Sequence, residues 1–494
     1  MWRPSLTPLK IFVKIKTPLQ CSNKGKIIKT VLKKLIIKLL KLNINKKNIL
    51  SIRRHNLPLV KEVYISDNKN KIYLLKTKWS YVLNLDTVKT LIDYNIYLDL
   101  NLFITRYQLR IPMDIVQKLS MQSYYKQCMQ LPLQKNLIVF ESFFGKNYSG
   151  QPKYLYEYLL EHNPSCTFVW VYQKDPQNIP GNPIIVKRGS REYFHYLATA
   201  QYWVNNIIFP IHKKRSETIY VQTWHGTPLK RLGYDIEVDG PEVNVRENFY
   251  KESRNWDYLL TQNAYTSEIL QRAFKFDKEI IEEGYPHSDF LINATQKRAE
   301  QIKKSLELPL DKKIILYAPT WRDNDTNGNW SFNFTLKINL KKWQEQLGEE
   351  YIILIRMHHL ITNIKDLDEV EGFAYNLSTY DDIQELSLIS DILITDYSSV
   401  FFDFGVTKKP ILFYTYDFEE YSEKLRGFYL DMKSDLPGPI IQEDAALLDA
   451  IINIKSIEVD YAEAYNTFIK RFCYLDNGHS TERVAKKVFK ELHV

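Results

Sequence analysis

From residue 136 onward, short apolar runs alternate with helix-like segments, and this alternation constrains the fold more than any other feature of the chain. Helices are predicted near 153–162 and 190–202. The strand-like runs of this first block are LIVFESF (137–143), TFVWVY (167–172), IIVKR (184–188), YVQTW (220–224), YLLTQ (258–262) and IIEEGYP (280–286). Strands that are apolar on both faces and separated by helices indicate a parallel sheet covered on both sides.

A second block repeats the pattern after a charged, helix-like segment at 297–308. Its strand-like runs are KIILYAPTW (313–321), YIILIR (351–356), DILITDY (391–397) and PILFYTY (410–416). The two blocks predict an α/β fold with two doubly wound, Rossmann-like domains, at 136–300 and 301–494, facing each other across a cleft. In such folds ligands bind at the carboxyl ends of the strands.

The N-terminal region differs in charge from the rest of the chain. Residues 1–61 contain 16 Lys and Arg and no acidic residue, which leaves 51 basic against 58 acidic residues in 62–494, a net charge of −7. A basic arm on an acidic body argues against a nucleic-acid-coating protein, because the positive charge of such proteins usually lies on the folded domain. We therefore expect no nucleic-acid partner.

The segment 24–47 of this arm is predicted to form a basic amphipathic helix. At about 100° per residue, lysines occupy one half of the helical wheel, and Ile, Val and Leu occupy the other. This composition is typical of helices that lie on anionic membrane surfaces; the alternative is a helix docked on its own protein with solvated lysines. The predicted membrane-binding residues are Lys26, Lys29, Lys33, Leu35, Lys38 and Leu39.

The remaining global features favour a chain that lies on a membrane rather than crossing it. No window approaches the roughly 18–20 uninterrupted apolar residues of a transmembrane helix, and lysines interrupt every apolar run near the N-terminus. Residues 62–135 hold aromatic and β-branched runs that predict a small accessory region with some strand. The four cysteines are scattered without a CxxC pair, so neither a zinc site nor a disulfide framework is expected.

Polar motifs follow directly after several predicted strands, where a doubly wound fold places its ligands. In QTWHGTPLKRLG (222–233), His225 lies between a strand and a helix start, a position suited to a general base, although a lone loop histidine is more often structural. In APTWRD (318–323), Arg322 is suited to gripping phosphate oxygens, with Thr320 beside it. The alternative for Arg322 is a surface salt bridge to a nearby aspartate.

The motif DILITDYSSVFFDF predicts an anion site in the second block. Asp396, Ser398 and Ser399 end the strand, and serine hydroxyls together with the free N–H groups of a helix start can bind an anion without a lysine. Asp403 lies one helical turn beyond Ser399, on the same face.

Two further motifs complete the predicted cleft. LIRMHHLI (354–361) places His358 after a strand, and Glu419 follows the last strand as a candidate partner for ribose hydroxyls. Together the motifs describe a base in the first block opposite a phosphate cradle in the second. That arrangement indicates group transfer from a nucleotide-activated donor.

The chain resembles the CDP-glycerol glycerophosphotransferase family, which comprises teichoic-acid glycerol- and ribitol-phosphate transferases with relatives in capsule synthesis. The resemblance covers roughly 137–480, in the series QTWHGTPLK, TQN, EGYPHSDFL, LYAPTWRD, RMHH, ISDILITDYSSVFFDF and KPILFYTYDFEEY. It implies a GT-B fold and a peripheral, monotopic enzyme on the cytoplasmic face of the cell membrane. Such an enzyme moves an alditol phosphate from a CDP-alditol to a hydroxyl of a lipid-linked polyol-phosphate or glycan acceptor and releases CMP.

The resemblance also implies roles for individual residues. His225 takes the catalytic-base position, His358 the pyrophosphate-contacting one and Asp403 the acidic position after the serines, and these three are the predicted catalytic residues. The transferred group is already anionic, so the site must offset charge and align the attack rather than form a covalent intermediate. No metal is required in this scheme, and a bound Mg²⁺ stays open. The predicted nucleotide- and phosphate-binding residues are Thr320, Arg322, His358, Asp396, Ser398, Ser399 and Glu419.

Three other functions remain open from the sequence. A GT-B glycosyltransferase that uses a nucleotide sugar for surface polysaccharide would share the architecture, and exchanging the donor would separate it. A catalytically silent scaffold would keep its function without His225. A nucleic-acid-binding arm would bind with a steep dependence on salt.

Overall fold

The structure of the chain, a computed structural model, comprises two compact units, residues 1–131 and 132–494. In the first unit it describes residues 10–11, 49–54, 62–67, 70–75, 82–84, 107–110 and 113–131. In the second it describes residues 132–492 except 177–178, 212, 238–242, 321–335, 358–366 and 420–426. The amphipathic helix predicted over 24–47 therefore lies outside the described residues, together with Lys26, Lys29, Lys33, Leu35, Lys38 and Leu39.

The described residues of the first unit form antiparallel strands and one helix. Four strands form a sheet in the order β1-β6-β2-β5, and β3 pairs with β4 in a hairpin whose register runs from Glu62 opposite Leu75 to Asp67 opposite Asn70. The elements are β1 Lys10–Ile11, β2 Ile49–Arg54, β3 Glu62–Asp67, β4 Asn70–Leu75, β5 Val82–Asn84, β6 Tyr107–Arg110 and α1 Met113–Cys128.

The second unit begins with a seven-stranded sheet, called the first sheet here. Its order is β13-β12-β11-β10-β7-β8-β9, and every neighbouring pair is parallel. The strands are β7 Gln134–Glu141, β8 Thr167–Val171, β9 Ile184–Val186, β10 Ala200–Asn205, β11 Ile219–Gln222, β12 Tyr258–Thr261 and β13 Glu279–Glu282. The helices are α2 Gly150–His162, α3 Arg191–Thr199, α4 Val243–Ser253, α5 Ala264–Phe274, α6 Pro286–Asn293 and α7 Gln296–Ser305.

The strand β10 corrects the helix predicted near 190–202. The helix ends at Thr199, Ala200 already has extended backbone (φ −77°, ψ 140°), and Ala200–Asn205 is a fully buried strand between β7 and β11. The sequence AQYWVN is aromatic and β-branched, which favours a strand. The predicted helix is present at Arg191–Thr199, but its predicted end was wrong because the helix passes into the strand without any glycine or proline to mark the boundary.

The remaining residues form a six-stranded second sheet in the order β16-β15-β14-β17-β18-β19, also parallel throughout. The strands are β14 Lys313–Tyr317, β15 Tyr351–Ile355, β16 Ala374–Asn376, β17 Ile392–Thr395, β18 Ile411–Tyr414 and β19 Ile440–Ile441. The helices are α8 Leu340–Leu347, α9 Ile383–Ile389, α10 Val400–Phe404, α11 Asp444–Ile452, α12 Ile454–Asp460, α13 Ala462–Phe472 and α14 Ser480–Val488. Short 3₁₀ turns occur at Phe143–Gly145, Gly233–Asp235, Asp368–Val370, Gly405–Thr407 and Lys490–Leu492.

Both sheets are built from strands that are buried along most of their length. The fully buried residues Val139, Leu260, Ile353 and Leu393 are examples from four strands. Because apolar area contributes roughly 25 cal/mol per Å² buried, a sheet covered on both faces is the natural fold for such runs. The predicted α/β class with parallel sheets is confirmed.

The helix α14 belongs to the core of the first sheet although it follows the second sheet in the chain. Its residues Val484, Ala485 and Val488 are buried in the apolar cluster of the first sheet. The main-chain N–H groups of Ser480 (3.0 Å) and Thr481 (2.7 Å) donate to the carboxylate of Asp289 on α6, which fixes the start of α14. The last α-helix of the described chain is thereby fixed to the first sheet and its helix α6.

None of the helices in the described parts of the chain is both long enough and apolar enough to cross a membrane.

Candidate functional site

The turn after β11 presents His225 at the carboxyl edge of the first sheet. β11 ends at Gln222, and the next residues leave the sheet with left-handed backbone at Trp224 (φ 53°) and Gly226 (φ 141°). The Trp224 ring is buried against Phe274, and its main-chain N–H donates to Oε1 of Gln222 at 2.9 Å. This anchoring holds the turn in place, and His225 reaches solvent on one side while the rings of Trp224 and Phe143 pack against it on others.

The hydrogen bond at Nδ1 determines the tautomer of His225. Nδ1 lies 2.8 Å from the main-chain oxygen of Asn206. A carbonyl oxygen only accepts, so Nδ1 carries the proton and Nε2 keeps its lone pair. The protein that surrounds the ring lowers the His225 pKa from 6.5, because the imidazolium is poorly solvated there; the Asn206 carbonyl and the Asp403 carboxylate oppose this only in part. The surroundings of His225 therefore favour the neutral imidazole over the imidazolium.

The side chain of Asn206 holds a strained turn next to the base. Its Oδ1 accepts from the N–H of Phe143 at 2.9 Å, and its Nδ2 donates to the Ser142 hydroxyl at 3.1 Å. Phe143 and Phe144 both have left-handed backbone, with φ 46° and 60°. Such a conformation costs on the order of 1–3 kcal/mol per residue and persists where surrounding contacts enforce it. The Phe143 ring packs edge-on against His225 with centroids 6.0 Å apart.

Sequence reasoning missed this turn, although a signal for it was present. The segment SFFGKNYSG follows a buried strand at the same edge of the sheet as His225. The rule that ligand sites follow strand ends in parallel sheets therefore applied to it as well. We name residues 142–150 the phenylalanine turn.

The serine motif forms the facing side of the site. Asp396 is buried, and its Oδ1 accepts from the main-chain N–H groups of Thr320 (2.7 Å) and Tyr397 (2.6 Å), which ties the ends of β14 and β17 together. Ser398 and Ser399 are partly exposed just before α10. α10 has only five residues, so the charge effect of its helix start is smaller than a long helix would give.

Asp396–Ser399, called the serine motif here, packs against Thr223–Gly226, called the histidine turn here. A Cβ atom placed on Gly226 would lie only 3.0 Å from the Ser399 hydroxyl oxygen, so the two turns are in close contact. His225 of the first block and Ser399 of the second block therefore lie on adjacent turns.

Asp403, one helical turn beyond Ser399, is buried rather than open to the site. Its Oδ1 lies 3.0 Å from Nε2 of His287, and its Oδ2 accepts from Nε2 of Gln384 at 3.4 Å. His287 was not singled out by sequence reasoning. Its position in EGYPHSDFL, directly after a strand and at the start of α6, was the available signal.

Of the three remaining predicted site residues, the structure describes Glu419 but not Arg322 or His358. Glu419 is exposed, five residues after the end of β18, and its carboxylate accepts from Nε2 of Gln442 at 3.4 Å. Arg356, two residues before His358, donates to the main-chain oxygen of Ser378, and burial lowers its pKa.

Buried polar contacts join the blocks of the two sheets beside the site. Nζ of Lys153 on α2 lies 2.8 Å from Asp382 and 3.1 Å from Glu385, and all three side chains are largely buried. Asp381 accepts from the main-chain N–H of Tyr148 (2.8 Å) in the phenylalanine turn. These contacts fix the phenylalanine turn relative to the second sheet.

Among the residues that the structure describes, no group of three or more His, Cys, Asp or Glu side chains is arranged to hold a metal ion.

Comparison with known proteins places this architecture in context. The model of the family described as CDP-Glycerol:Poly(glycerophosphate) glycerophosphotransferase matches residues 123–490. The chain is 44% identical over 378 residues to a teichoic acid poly(glycerol phosphate) polymerase of Bacillus subtilis (strain 168), covering 75% of this chain and 50% of that protein. The chain thus spans about half the length of that relative.

A shorter relative and a solved structure are matched over nearly their whole length. A teichoic acid glycerol-phosphate transferase of Staphylococcus aureus (strain NCTC 8325 / PS 47) is 42% identical over 384 residues, 75% of this chain and 97% of that protein. The wall teichoic acid polymerase TagF, solved as histidine variants of which one was soaked with CDPG, is similar with 40–41% identity and a TM-score of 0.71. That similarity covers 77% of this chain and 95–96% of the TagF chain.

Proposed function

Since the chain belongs to the CDP-glycerol:poly(glycerophosphate) glycerophosphotransferase family, we propose that it transfers an alditol phosphate from a CDP-alditol to a hydroxyl of a lipid-linked acceptor and releases CMP. The proposed donor is CDP-glycerol, because both relatives described above are named for glycerol phosphate. The TagF variant soaked with CDPG supports the same donor class. The product is a polymer of the teichoic-acid or capsule type.

The observation that carries the proposal is the tautomer of His225. With Nδ1–H bonded to Asn206, Nε2 is the atom that can accept a proton from an acceptor hydroxyl. The hydroxyl oxygen forms a bond to the β-phosphorus of the donor as its proton moves to Nε2. The bond from that phosphorus to the bridging oxygen breaks, and the bridging oxygen leaves with CMP.

The donor is proposed to lie on the side of the second sheet. Ser398, Ser399 and Thr320 lie at the ends of β17 and β14, and Ser399 touches the histidine turn. Hydroxyl and main-chain N–H groups here would bind the pyrophosphate, with Arg322 and His358 completing the charge that offsets the leaving CMP. This division corresponds to a GT-B layout, in which the blocks of the two sheets form the walls of one cleft.

Attachment to a membrane is proposed for the basic arm, residues 1–61. An acceptor that is anchored in the bilayer reaches a higher effective concentration when the enzyme lies on the same surface. The proposed location is peripheral, on the cytoplasmic face of the cell membrane. Deletion of residues 1–50 should abolish flotation with vesicles containing anionic lipid, while vesicles of neutral lipid alone should bind neither protein. Flotation of the deletion variant with anionic vesicles would place the membrane site elsewhere.

The test of the reaction is CMP release with CDP-glycerol, CDP-ribitol or a UDP-sugar and a lipid-linked glycerol-phosphate acceptor. We expect turnover with CDP-glycerol in the wild type and in His162→Ala, a matched control in which an exposed histidine at the far end of α2 is replaced. His225→Ala should bind the donor without releasing CMP. Turnover of CDP-ribitol alone would change the alditol, and turnover of the UDP-sugar alone would establish a glycosyltransferase instead.

A further inference from the structure

His287 and Asp403 form a buried pair that connects the blocks of the two sheets. His287 is the second residue of α6, which follows the first sheet, and Asp403 lies on α10, which follows β17 of the second sheet. Their side chains are 4% and 9% exposed, and Nε2 lies 3.0 Å from Oδ1. Two ionisable groups that are removed from water in this way are stable only as partners.

The surroundings of the pair favour its charged form. Burial by itself lowers the His287 pKa, but the Asp403 carboxylate reverses this, and the net result is a pKa above 6.5. The other charged groups that face His287 are Asp476 and Asp382, and both act in the same direction. The Gln384 amide donates to the second oxygen of Asp403 at 3.4 Å, and the Gln151 side chain accepts from the main-chain N–H of His287 at 3.1 Å.

A short chain of contacts connects the pair to the histidine turn. Asp403 and Ser399 are four residues apart at the start of α10, and Ser399 packs against Gly226, the residue after His225. The Asp403 carboxylate also raises the His225 pKa, against the larger lowering by the protein around the ring. Asp403 is therefore linked to His225 by its charge and, indirectly, by the packing of Ser399 against Gly226.

We propose that His287 and Asp403 are a positioning pair for the transfer reaction, which holds the serine motif against the histidine turn and sets the charge beside the base. This inference rests on the proposed function for its catalytic consequence. Neither residue needs to touch the substrate. In particular, Asp403 acts through His287 and Ser399 rather than as the proton-accepting group.

The pair makes a prediction that a purely structural contact would not. Asp403→Asn removes the carboxylate charge and should lower the His225 pKa. His287→Gln keeps a donor near Oδ1 but removes the positive partner, so the unbalanced carboxylate should raise the His225 pKa. Asp403→Asn also leaves His287 without the carboxylate that keeps it protonated, so the double variant should match Asp403→Asn instead of showing the sum of the two single shifts.

The experiment is NMR titration of the histidine side chains in the full chain, with the His225 signals assigned by their loss in His225→Gln. It needs neither donor nor acceptor, so it remains informative if every donor in the CMP-release assay fails. Opposite shifts in the two single variants would support the pair even then. Equal or absent shifts would overturn it. Asp277→Asn, at an exposed carboxylate paired with Arg254, is the matched control and should leave the His225 signals unchanged.

Kinetics and the wild-type protein provide two further readouts. Each single variant should lose about 10-fold or more in kcat with KM for CDP-glycerol changed by less than about 3-fold, and the double variant should lose no more than the worse single variant, because partners are non-additive. Additive losses would overturn the coupling. In the wild type, the His287 side chain should lose its proton only above pH 6.5, because its pKa is raised from that value. Loss of that proton at or below pH 6.5 would overturn the proposal even if no variant folds.

Discussion

The main-chain oxygen of Asn206 accepts the Nδ1 proton of His225 across 2.8 Å, and the Asn206 side chain holds the phenylalanine turn at the same time. Asn206, the residue directly after β10, therefore determines both the tautomer of His225 and the conformation of the phenylalanine turn beside it. A substitution of Asn206 leaves its main-chain carbonyl in place, so the tautomer of His225 should be kept. The side-chain hydrogen bonds that hold the phenylalanine turn would be lost.

Replacement of His225 by alanine should reduce transfer by about 10²–10⁴-fold, the usual contribution of a general base. Affinity for the donor should remain, since Nε2 acts on the acceptor hydroxyl. The measurement is CMP release at saturating donor together with calorimetric titration of CDP-glycerol. A variant that loses donor affinity but keeps its turnover rate would show that His225 is a binding residue.

The pH dependence of kcat/KM should follow the ionisation of His225. Only the neutral imidazole can accept a proton, so activity is present above its pKa and is lost as the pH falls through it. Because the His225 pKa is lowered from 6.5, the acid limb of the profile should have its midpoint below pH 6.5. A midpoint above pH 6.5, measured with CDP-glycerol, would contradict the assignment of this limb to a histidine whose pKa is lowered by the protein around it.

Replacement of Gly226 by alanine should disturb the contact between the histidine turn and the serine motif. A Cβ would approach the Ser399 hydroxyl to 3.0 Å, and φ 141° is unfavourable for any residue with a side chain. We expect about 10-fold loss of kcat or more. The control is Gly189→Ala, which also has positive φ (82°) but no neighbour within 4 Å of the added atom. Equal losses in both variants would attribute the effect to backbone strain alone.

Replacement of Lys153 by methionine should destabilise the second unit. The substitution leaves Asp382 and Glu385 buried without their lysine partner, which typically costs about 3–5 kcal/mol. Lys455→Met is the matched control, since Lys455 is exposed and its pairing with Glu458 should contribute less than about 1 kcal/mol. The free energy of unfolding in urea, followed by tryptophan fluorescence, distinguishes the two. Similar values would show that the lysine is dispensable.

Replacement of Glu252 by glutamine should stabilise the protein at alkaline pH. Burial raises the Glu252 pKa to about 8, so between pH 4.5 and 8 the folded chain holds a proton that the unfolded chain releases. Stability from this group is therefore lost as the pH rises. The variant should gain about 2–4 kcal/mol over the wild type at pH 8 and nothing below pH 4.5. Glu268→Gln, at an exposed carboxylate, should show no such trend.

The sequence pattern was sufficient for the parallel sheets and for the position of His225 after a strand end, because both depend on local information. An apolar run between helices indicates a strand wherever it occurs, and a histidine at its end must face the ligand edge. Asn206 and His287 could not be found in the same way. Asn206 acts through the position of β10, which was taken for part of a helix, and His287 matters only because Asp403, over one hundred residues away, packs against it.

The return of α14 to the first sheet has a consequence for synthesis on the ribosome. Val484, Ala485 and Val488 fill the same apolar cluster as residues of β7 and β8, which are translated more than 300 residues earlier. The apolar cluster of the first sheet therefore stays incomplete, with part of its surface exposed, until nearly all of the second sheet has left the ribosome. Exposed apolar surface favours aggregation during that interval. A stop codon shortly before residue 480 would leave the cluster permanently without α14.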